Sequence, residues 1–324
     1  MKRTISSNLE EFRSRYSGHI ELNVNLATLT YWKIGGVAAC VISPSSEEQV
    51  VDAIRLINEL KIKYLIIGDT SNLLFENEFY NYIIIKFGND FSEIKFNDTM
   101  VQAQAGVWVP ELAYQCYRRG LTGFEHTCGI PGRVGGLLYM NGGSQRKAIG
   151  ENAVTINTVT TEGDLVDFAK KDLNLSYRYS PFQEMNHIIL GASFKLAPAP
   201  KTKIRKTMLE ILSSRRKKFP RKQPNCGSVF VSNPKMYSEI GPPGFAIEKV
   251  GLKGTRRGGA EISPLHANFI VNRGDATAND VLYLIHLARN RVYEATNYLM
   301  DCEVRLVSTN GEIKPAHTFD IKDI

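Results

Sequence analysis

The sequence predicts an α+β protein with mixed or antiparallel sheets, and three observations lead there. Apolar residues recur at helical spacing in Val50, Ile54, Ile57 and Leu60, and again in Ile204, Met208, Ile211 and Leu212. Continuous apolar runs, Tyr64-Leu65-Ile66-Ile67 and Tyr82-Ile83-Ile84-Ile85, read as buried strands. Val154 to Val159 and Leu165 to Phe168, separated by Glu162-Gly163-Asp164, read as a hairpin, which a regular βαβ array would lack.

The elements follow in chain order. Ser45-Ser46-Glu47-Glu48 has the form of a capping box and opens the first long helix. Pro110 suits the first turn of a second helix, where its missing N–H is not needed. Leu112, Ala113 and Tyr117 would face inward on that helix, and Gly120 would close it. Ile188 to Leu196 reads as another strand. Ala197-Pro198-Ala199-Pro200 breaks the composition and marks an expected domain boundary. Beyond it lies the amphipathic helix through Ile204 and Leu212. Thr277-Ala278-Asn279-Asp280 has the form of a second capping box, with Val281, Ile285, Ala288 and Val292 continuing the helix. Cys302 to Val307 is the expected last strand.

Composition sets the bounds. A chain of 324 residues can bury two or three cores. Its 43% hydrophobic and 23% charged content is that of a soluble globular protein. The first eight residues hold no apolar h-region, so no signal peptide is expected. No apolar run approaches the roughly 18 residues of a membrane span. Cys40, Cys116, Cys128, Cys226 and Cys302 are odd in number and widely spaced, without Cys-x-x-Cys. Neither a metal site nor a disulfide framework is expected, and a reducing cytoplasm is the simplest setting.

The net charge is +7, concentrated in Arg215-Arg216-Lys217-Lys218-Phe219-Pro220-Arg221-Lys222. Three readings stay open: a solvated helix end, a nucleic-acid patch, and capture of a diphosphate on a small ligand.

Two glycine-rich turns carry more information. The first, Gly68-Asp69-Thr70-Ser71-Asn72, directly follows the strand ending at Ile67. The second, Gly129-Ile130-Pro131-Gly132-Arg133-Val134-Gly135-Gly136, leads to Asn141-Gly142-Gly143. Such turns can be plain connections, or their successive N–H groups can form anion-seeking nests. Two dense clusters suggest a large phosphorylated cofactor held by main chain. Neither turn has the Rossmann or P-loop spacing.

Three polar segments complete the inventory. Tyr177-Arg178-Tyr179-Ser180 sets an arginine between tyrosines. Asn225-Cys226-Gly227-Ser228-Val229-Phe230 puts a serine on a tight turn, outside any Gly-x-Ser-x-Gly elbow, and its cysteine reads as a small buried thiol. Glu303-Val304-Arg305 lies in the expected terminal strand.

From about Leu26 to Val307 these segments, in this order, resemble the UDP-N-acetylenolpyruvoylglucosamine reductase (MurB) family of bacterial cell-wall synthesis. Leu26 to Gly36 resembles its N-terminal flavin motif, and Gly258 to Ser263 with His266 to Asn272 completes the set. The resemblance implies a two-part FAD-binding unit of the MurB and vanillyl-alcohol-oxidase-like type, its lobes being 1–90 and 91–200. A C-terminal α+β substrate domain, 201–324, would follow, with the terminal strand packing back on the flavin site. FAD would be held by Gly68, Asp69, Thr70, Ser71, Asn72, Gly129, Ile130, Pro131, Gly132, Val134, Gly135, Gly136, Asn141 and Gly142. NADPH would be the reductant and UDP-N-acetylglucosamine enolpyruvate the substrate. Arg178 and Glu303 would stabilise an enolate-like intermediate, and Ser228 would give the C2 proton. Lys218 would hold the UDP diphosphate, with Arg216 and Lys217 as alternatives, and Asn233 and His266 would line the same pocket. A cytoplasmic monomer without nucleic-acid, membrane or metal partners is implied. About fifty residues separate Arg178 from Ser228, as in the shorter type of the family, so no substrate-clamping tyrosine is carried over.

The sequence departs from the family pattern in the flavin half. Lys33 stands for the usual arginine, Asp69-Thr70 for two small residues, Arg133 for Thr or Ser, and Gly143 to Lys147 is unusually basic. The expectation is that Arg133 or Lys33 compensates the charge of Asp69. These departures keep open a flavin oxidoreductase of this type with another substrate. A nucleic-acid-binding protein built on the basic run is the other rival.

Overall fold

A computed structural model describes residues 7–321. The chain forms two compact units. One holds the residues up to Leu22, Cys40–Asp69 and Tyr82–Arg215; the other holds Asn23–Ala39, Thr70–Asn81 and the chain from Arg216 onward.

In the first unit, Tyr64–Ile67 pairs in parallel with Ile83–Lys86. Helix Glu47–Glu59 buries Val50, Ala53, Ile54, Leu56 and Ile57. Its cap is Ser46, whose hydroxyl accepts the Gln49 N–H at 3.2 Å. The Gln49 side chain reaches past the cap to accept the N–H of Ser45, one residue before it, at 2.8 Å, so the return contact comes from Gln49 and not Glu48.

The same unit holds a five-stranded antiparallel sheet. Its spatial order is Leu165–Ala169, Ala153–Thr160, His187–Lys195, Met100–Gln104, Ile94–Asn97. The expected hairpin sets its register, with Leu165 opposite Val159 and Phe168 opposite Ile156. Phe124 meets Phe194 edge-on in the core, ring centres 5.0 Å apart. Helix Val109–Arg118 buries Leu112, Ala113 and Cys116, while Tyr117, whose hydroxyl favours water, is only half-buried.

The compact units divide the chain differently from the expected boundary at 197–200. Ala197–Pro198 pairs with Leu121–Thr122. Helix Lys201–Lys218 then packs Ile204, Met208 and Ile211 into the first unit's core. Its apolar stripe needed a core to cover it, and the sequence does not say which one.

In the second unit, Arg256–Arg257, Ala260–Ile262 and Ile270–Asn272 form an antiparallel sheet. Helix Ala278–Thr296 packs on it, opened by the reciprocal Thr277–Asp280 capping box. Trp32 is buried, and its Nε1–H donates to the Ile270 carbonyl at 2.9 Å. Gly36 passes so close to the Glu78 carbonyl that a Cβ would collide with it, so this glycine serves close packing. A second small sheet orders Ile313–Pro315, Arg305–Val307 and Leu73–Phe75, the last pairing being parallel. The expected strand from Cys302 is therefore shorter, and Ile313–Pro315 follows it unforeseen. Cys302 makes only an isolated bridge to Phe230.

Candidate functional site

The second unit brings Ser228 and Glu303 onto neighbouring backbone. Gly227 has φ 77°, a conformation glycine takes without strain, and a Cβ there would meet nothing within 4 Å. Its N–H donates to Asn225 Oδ1 at 2.9 Å. Ser228 is half-buried beyond that turn. The next residue, Val229, accepts the Glu303 N–H at 2.8 Å. Asn268 fixes this stretch from behind. Phe230 N–H donates to Asn268 Oδ1 at 2.9 Å, and Asn268 Nδ2–H donates to the Phe230 carbonyl at 3.0 Å.

Part of the first glycine turn is tied to the same place. Buried Cys226 Sγ–H faces the carbonyls of Thr70 and Leu73, at 3.4 and 3.3 Å. Asn72 Nδ2–H donates to the Glu303 carbonyl at 3.0 Å. Burial raises the Cys226 thiol pKa, so this group is a tether and not a nucleophile at neutral pH. Neither Cys226 nor Asn268 was singled out for this work in the sequence. Their signal was only proximity to Ser228 and membership of the His266–Asn272 segment.

The turns have the donors that a diphosphate-bearing cofactor requires. The N–H groups of Gly68, Asp69, Thr70, Ser71 and Asn72 donate no hydrogen bond among the described residues. The same holds for Gly129, Gly132 and Gly136. A Cβ on Gly136 would meet nothing within 4 Å, so its Cα faces open space. Their neighbours serve packing. Val134 is fully buried, and Gly135 gives its N–H to Ala105 O, with room for no Cβ beside Ala105. Gly142 gives its N–H to Leu137 O at 2.7 Å, and Ile130 gives its own to Thr127 O. Pro131 supplies no N–H.

Asp69 and Arg133, both in the first unit, form an ion pair. Arg133 Nε lies 2.6 Å from Asp69 Oδ1, with side chains 13% and 16% exposed. Of the two cations expected to compensate Asp69, Arg133 is the one in contact.

Arg178 also lies in the first unit, on a two-residue turn. Ser176 and Tyr179 exchange both backbone hydrogen bonds at 3.1 Å, and Arg178 takes φ 58° at the tip. Its guanidinium sits 5.4 Å from the Tyr177 ring centre, a cation–π arrangement. Asn141 holds this turn by donating Nδ2–H to Ser176 O at 2.8 Å, while its Oδ1 accepts the Gly150 N–H at 3.2 Å.

The basic run ends in the second unit. Lys218 is exposed at the last position of its helix. Next to it, Phe219 stacks on Phe269 and contacts the His266 ring. His266 Nδ1 accepts the Asn268 N–H at 3.2 Å, which places the hydrogen of the neutral ring on Nε2. Burial lowers its pKa, with Lys253 and Lys218 adding to the effect. The ring is therefore a neutral donor at pH 7. Asn233 precedes helix Pro234–Glu239, and its carbonyl accepts the Tyr237 N–H at 3.3 Å. No group of three or more metal-ligating side chains occurs among the described residues, and no helix is long and apolar enough to cross a membrane.

Comparison with known proteins adds independent findings. A model of an FAD binding domain matches residues 38–169. The C-terminal domain model of UDP-N-acetylenolpyruvoylglucosamine reductase matches residues 219–307. UDP-N-acetylenolpyruvoylglucosamine reductase 1 of Corynebacterium glutamicum is 40% identical over 314 residues, 97% of this chain and 94% of that one. The reductase of Halalkalibacterium halodurans is 36% identical over 92% of this chain and 98% of its own. The crystal structure of the enzyme from Thermus caldophilus matches with a TM-score of 0.75 and 28% identity, over 89% of this chain and 99% of that one.

Proposed function

The chain belongs to the UDP-N-acetylenolpyruvoylglucosamine reductase family, and from that premise we propose that it reduces the enolpyruvyl ether of UDP-N-acetylglucosamine to the lactyl ether of UDP-N-acetylmuramate. FAD is its cofactor and NADPH its reductant. The observation that carries this reading is the lacing of Ser228 and Glu303 onto adjoining backbone beside the Thr70–Leu73 turn.

Bound FAD supplies hydride, taken from NADPH, to C3 of the enolpyruvyl group. Addition there builds negative charge at C2 and on the adjoining carboxylate. Ser228 is assigned the proton donor to C2, completing the saturated ether. A hydroxyl is a weak acid, so donation needs a polarised setting. Glu303 is assigned to that setting, and Arg178 to the developing carboxylate charge. An arginine suits the latter because its planar fork can pair both carboxylate oxygens.

The unclaimed N–H donors of the two glycine turns suit the cofactor's pyrophosphate. Lys218 and the Nε2–H of His266 suit the UDP diphosphate, and Asn233 is assigned to the same nucleotide. The reading makes the protein a cytoplasmic monomer that serves peptidoglycan synthesis, and through it cell shape and division.

Stopped-flow flavin absorbance tests the proposal. The protein is reduced anaerobically with NADPH and mixed with UDP-N-acetylglucosamine enolpyruvate. Rapid return of the oxidised spectrum is expected. Reduction without substrate-driven reoxidation would point to another substrate, and a protein that takes up no FAD would overturn the flavin reading.

A further inference from the structure

One guanidinium holds four pieces of the first unit together. Arg133 Nε–H donates to Asp69 Oδ1 at 2.6 Å. Its Nη1 donates to Asn89 Oδ1 and to the Gly106 carbonyl, each at 2.8 Å. Its own backbone bridges Trp108 and accepts the Leu137 N–H at 3.0 Å. The side-chain stem runs against Gly68, where a Cβ would lie 3.1 Å from Arg133 Cγ. The absence of a side chain at Gly68 thus lets the arginine cross the first turn closely.

The location gives the contact its meaning. Asp69 belongs to the first glycine turn and Arg133 to the second. Both turns carry N–H groups that donate to nothing else among the described residues. A lone carboxylate among such donors would repel an incoming diphosphate, and as a mostly buried charge it would be costly. Paired with Arg133 it is neutralised, and the pair spans the turns before any cofactor arrives.

We infer that Arg133 and Asp69 act as a neutral strut that holds the two glycine turns at the spacing FAD requires, which makes Arg133 a cofactor-positioning residue. The inference rests on the FAD reading of the turns. Preformed spacing lowers the ordering cost of binding, so losing the strut weakens affinity without removing a direct ligand contact. The two substitutions must then be non-additive, because each exposes the other's charge.

The test is a double-mutant cycle on FAD dissociation constants, measured by fluorescence quenching at 15 °C on protein shown by circular dichroism to be folded. Arg133→Thr is expected to weaken FAD binding by about tenfold or more, and in the Asp69→Gly background by about threefold or less. Arg133→Lys keeps the charge but not the fork that reaches Asn89 and Gly106, so its affinity should fall between those of the unsubstituted protein and Arg133→Thr. If Arg133→Thr does not fold, Arg133→Gln and Asp69→Asn, singly and together, read the same coupling. Equal losses in both backgrounds would overturn the strut. So would an unchanged affinity accompanied only by a lower melting temperature, the mark of an ordinary structural brace. Failure of the unsubstituted protein to take up FAD would sink the functional reading instead.

Discussion

Replacing Asn268 should both destabilise the protein and make its stability depend on pH. The residue is 3% exposed and Phe230 is 1% exposed. Asn268→Ala removes the acceptor of the Phe230 N–H and the donor to the Phe230 carbonyl. Two buried backbone groups are then orphaned, at about 1–3 kcal/mol each, so a loss of about 2 kcal/mol or more is expected. Asn268→Asp has nearly the same shape and keeps the acceptor, but sets a carboxylate oxygen against the Phe230 carbonyl. Only the protonated acid can donate there, so the folded-state pKa rises above the ordinary ~3.9. A raised folded pKa means that the native state holds the proton more tightly than the unfolded chain. The acid's contribution is therefore full at low pH and lost as pH rises through the folded pKa. Urea melts of both variants from pH 4 to 8 give the answer. The reasoning fails if Asn268→Ala loses less than about 1 kcal/mol. It fails equally if the Asp variant tracks the unsubstituted protein at every pH. Because Phe230 also bridges Cys302, next to Glu303, both variants should lower kcat more than they change FAD affinity.

Other substitutions separate the roles assigned above. Ser228→Ala should bind FAD and accept electrons from NADPH while reoxidation by the enolpyruvyl sugar stops; normal turnover would remove Ser228 as the acid. Asn141→Ala should leave FAD affinity near that of the unsubstituted protein but slow sugar-driven reoxidation by about tenfold, the equivalent of one net hydrogen bond on the Arg178 turn. His126 is buried, with neither ring nitrogen hydrogen-bonded among the described residues. Burial is the main cause that lowers its pKa from 6.5, outweighing the opposing pull of Glu151. The unfolded chain therefore gains a proton that the fold excludes, and stability falls as pH drops below about 6.5. His126→Phe should add about 1 kcal/mol near pH 7 and flatten that acid slope, as read by urea melts at pH 5 and 7. An unchanged slope would refute the assignment.

Much of the framework was legible because it depends on local pattern. Strand Tyr64–Ile67, the 153–169 hairpin and the Thr277–Asp280 box follow from apolar periodicity and capping chemistry. Charge logic also pointed to a partner for Asp69, and Arg133 is there. The misjudged features depend on tertiary choices. Cys302 to Val304 has strand composition, but the N–H groups of Glu303 and Val304 both turn to Val229 O, at 2.8 and 3.4 Å. That shared acceptor breaks the ladder alternation, and regular pairing starts only at Arg305. The proline pair at 198 and 200 does end a strand pattern, yet the next helix buries its stripe in the core already begun. Nothing local marks Cys226 as a tether, since its acceptors lie over 150 residues away, at Thr70 and Leu73.

The asparagines show how place and role come apart. Asn72 and Asn141 stand inside the glycine segments that the family resemblance assigns to the cofactor. In the structure Asn72 Nδ2 serves the Glu303 carbonyl, and both ends of the Asn141 amide serve backbone at Ser176 and Gly150. The physical cause is general. Glycine-rich turns break the regular ladders, so nearby carbonyl and N–H groups lose their usual partners. A short amide with donors and an acceptor is the nearest group able to satisfy them. Once it does so, it fixes the loops bearing Glu303 and Arg178 and has less capacity for a ligand. On the proposed reading, the cofactor is left with the N–H groups that have no acceptor among the described residues, those of Gly68 to Asn72, Gly129, Gly132 and Gly136. An amide variant should therefore register in the sugar step, whereas a side chain added at Gly136, whose Cα faces open space, should register in flavin binding.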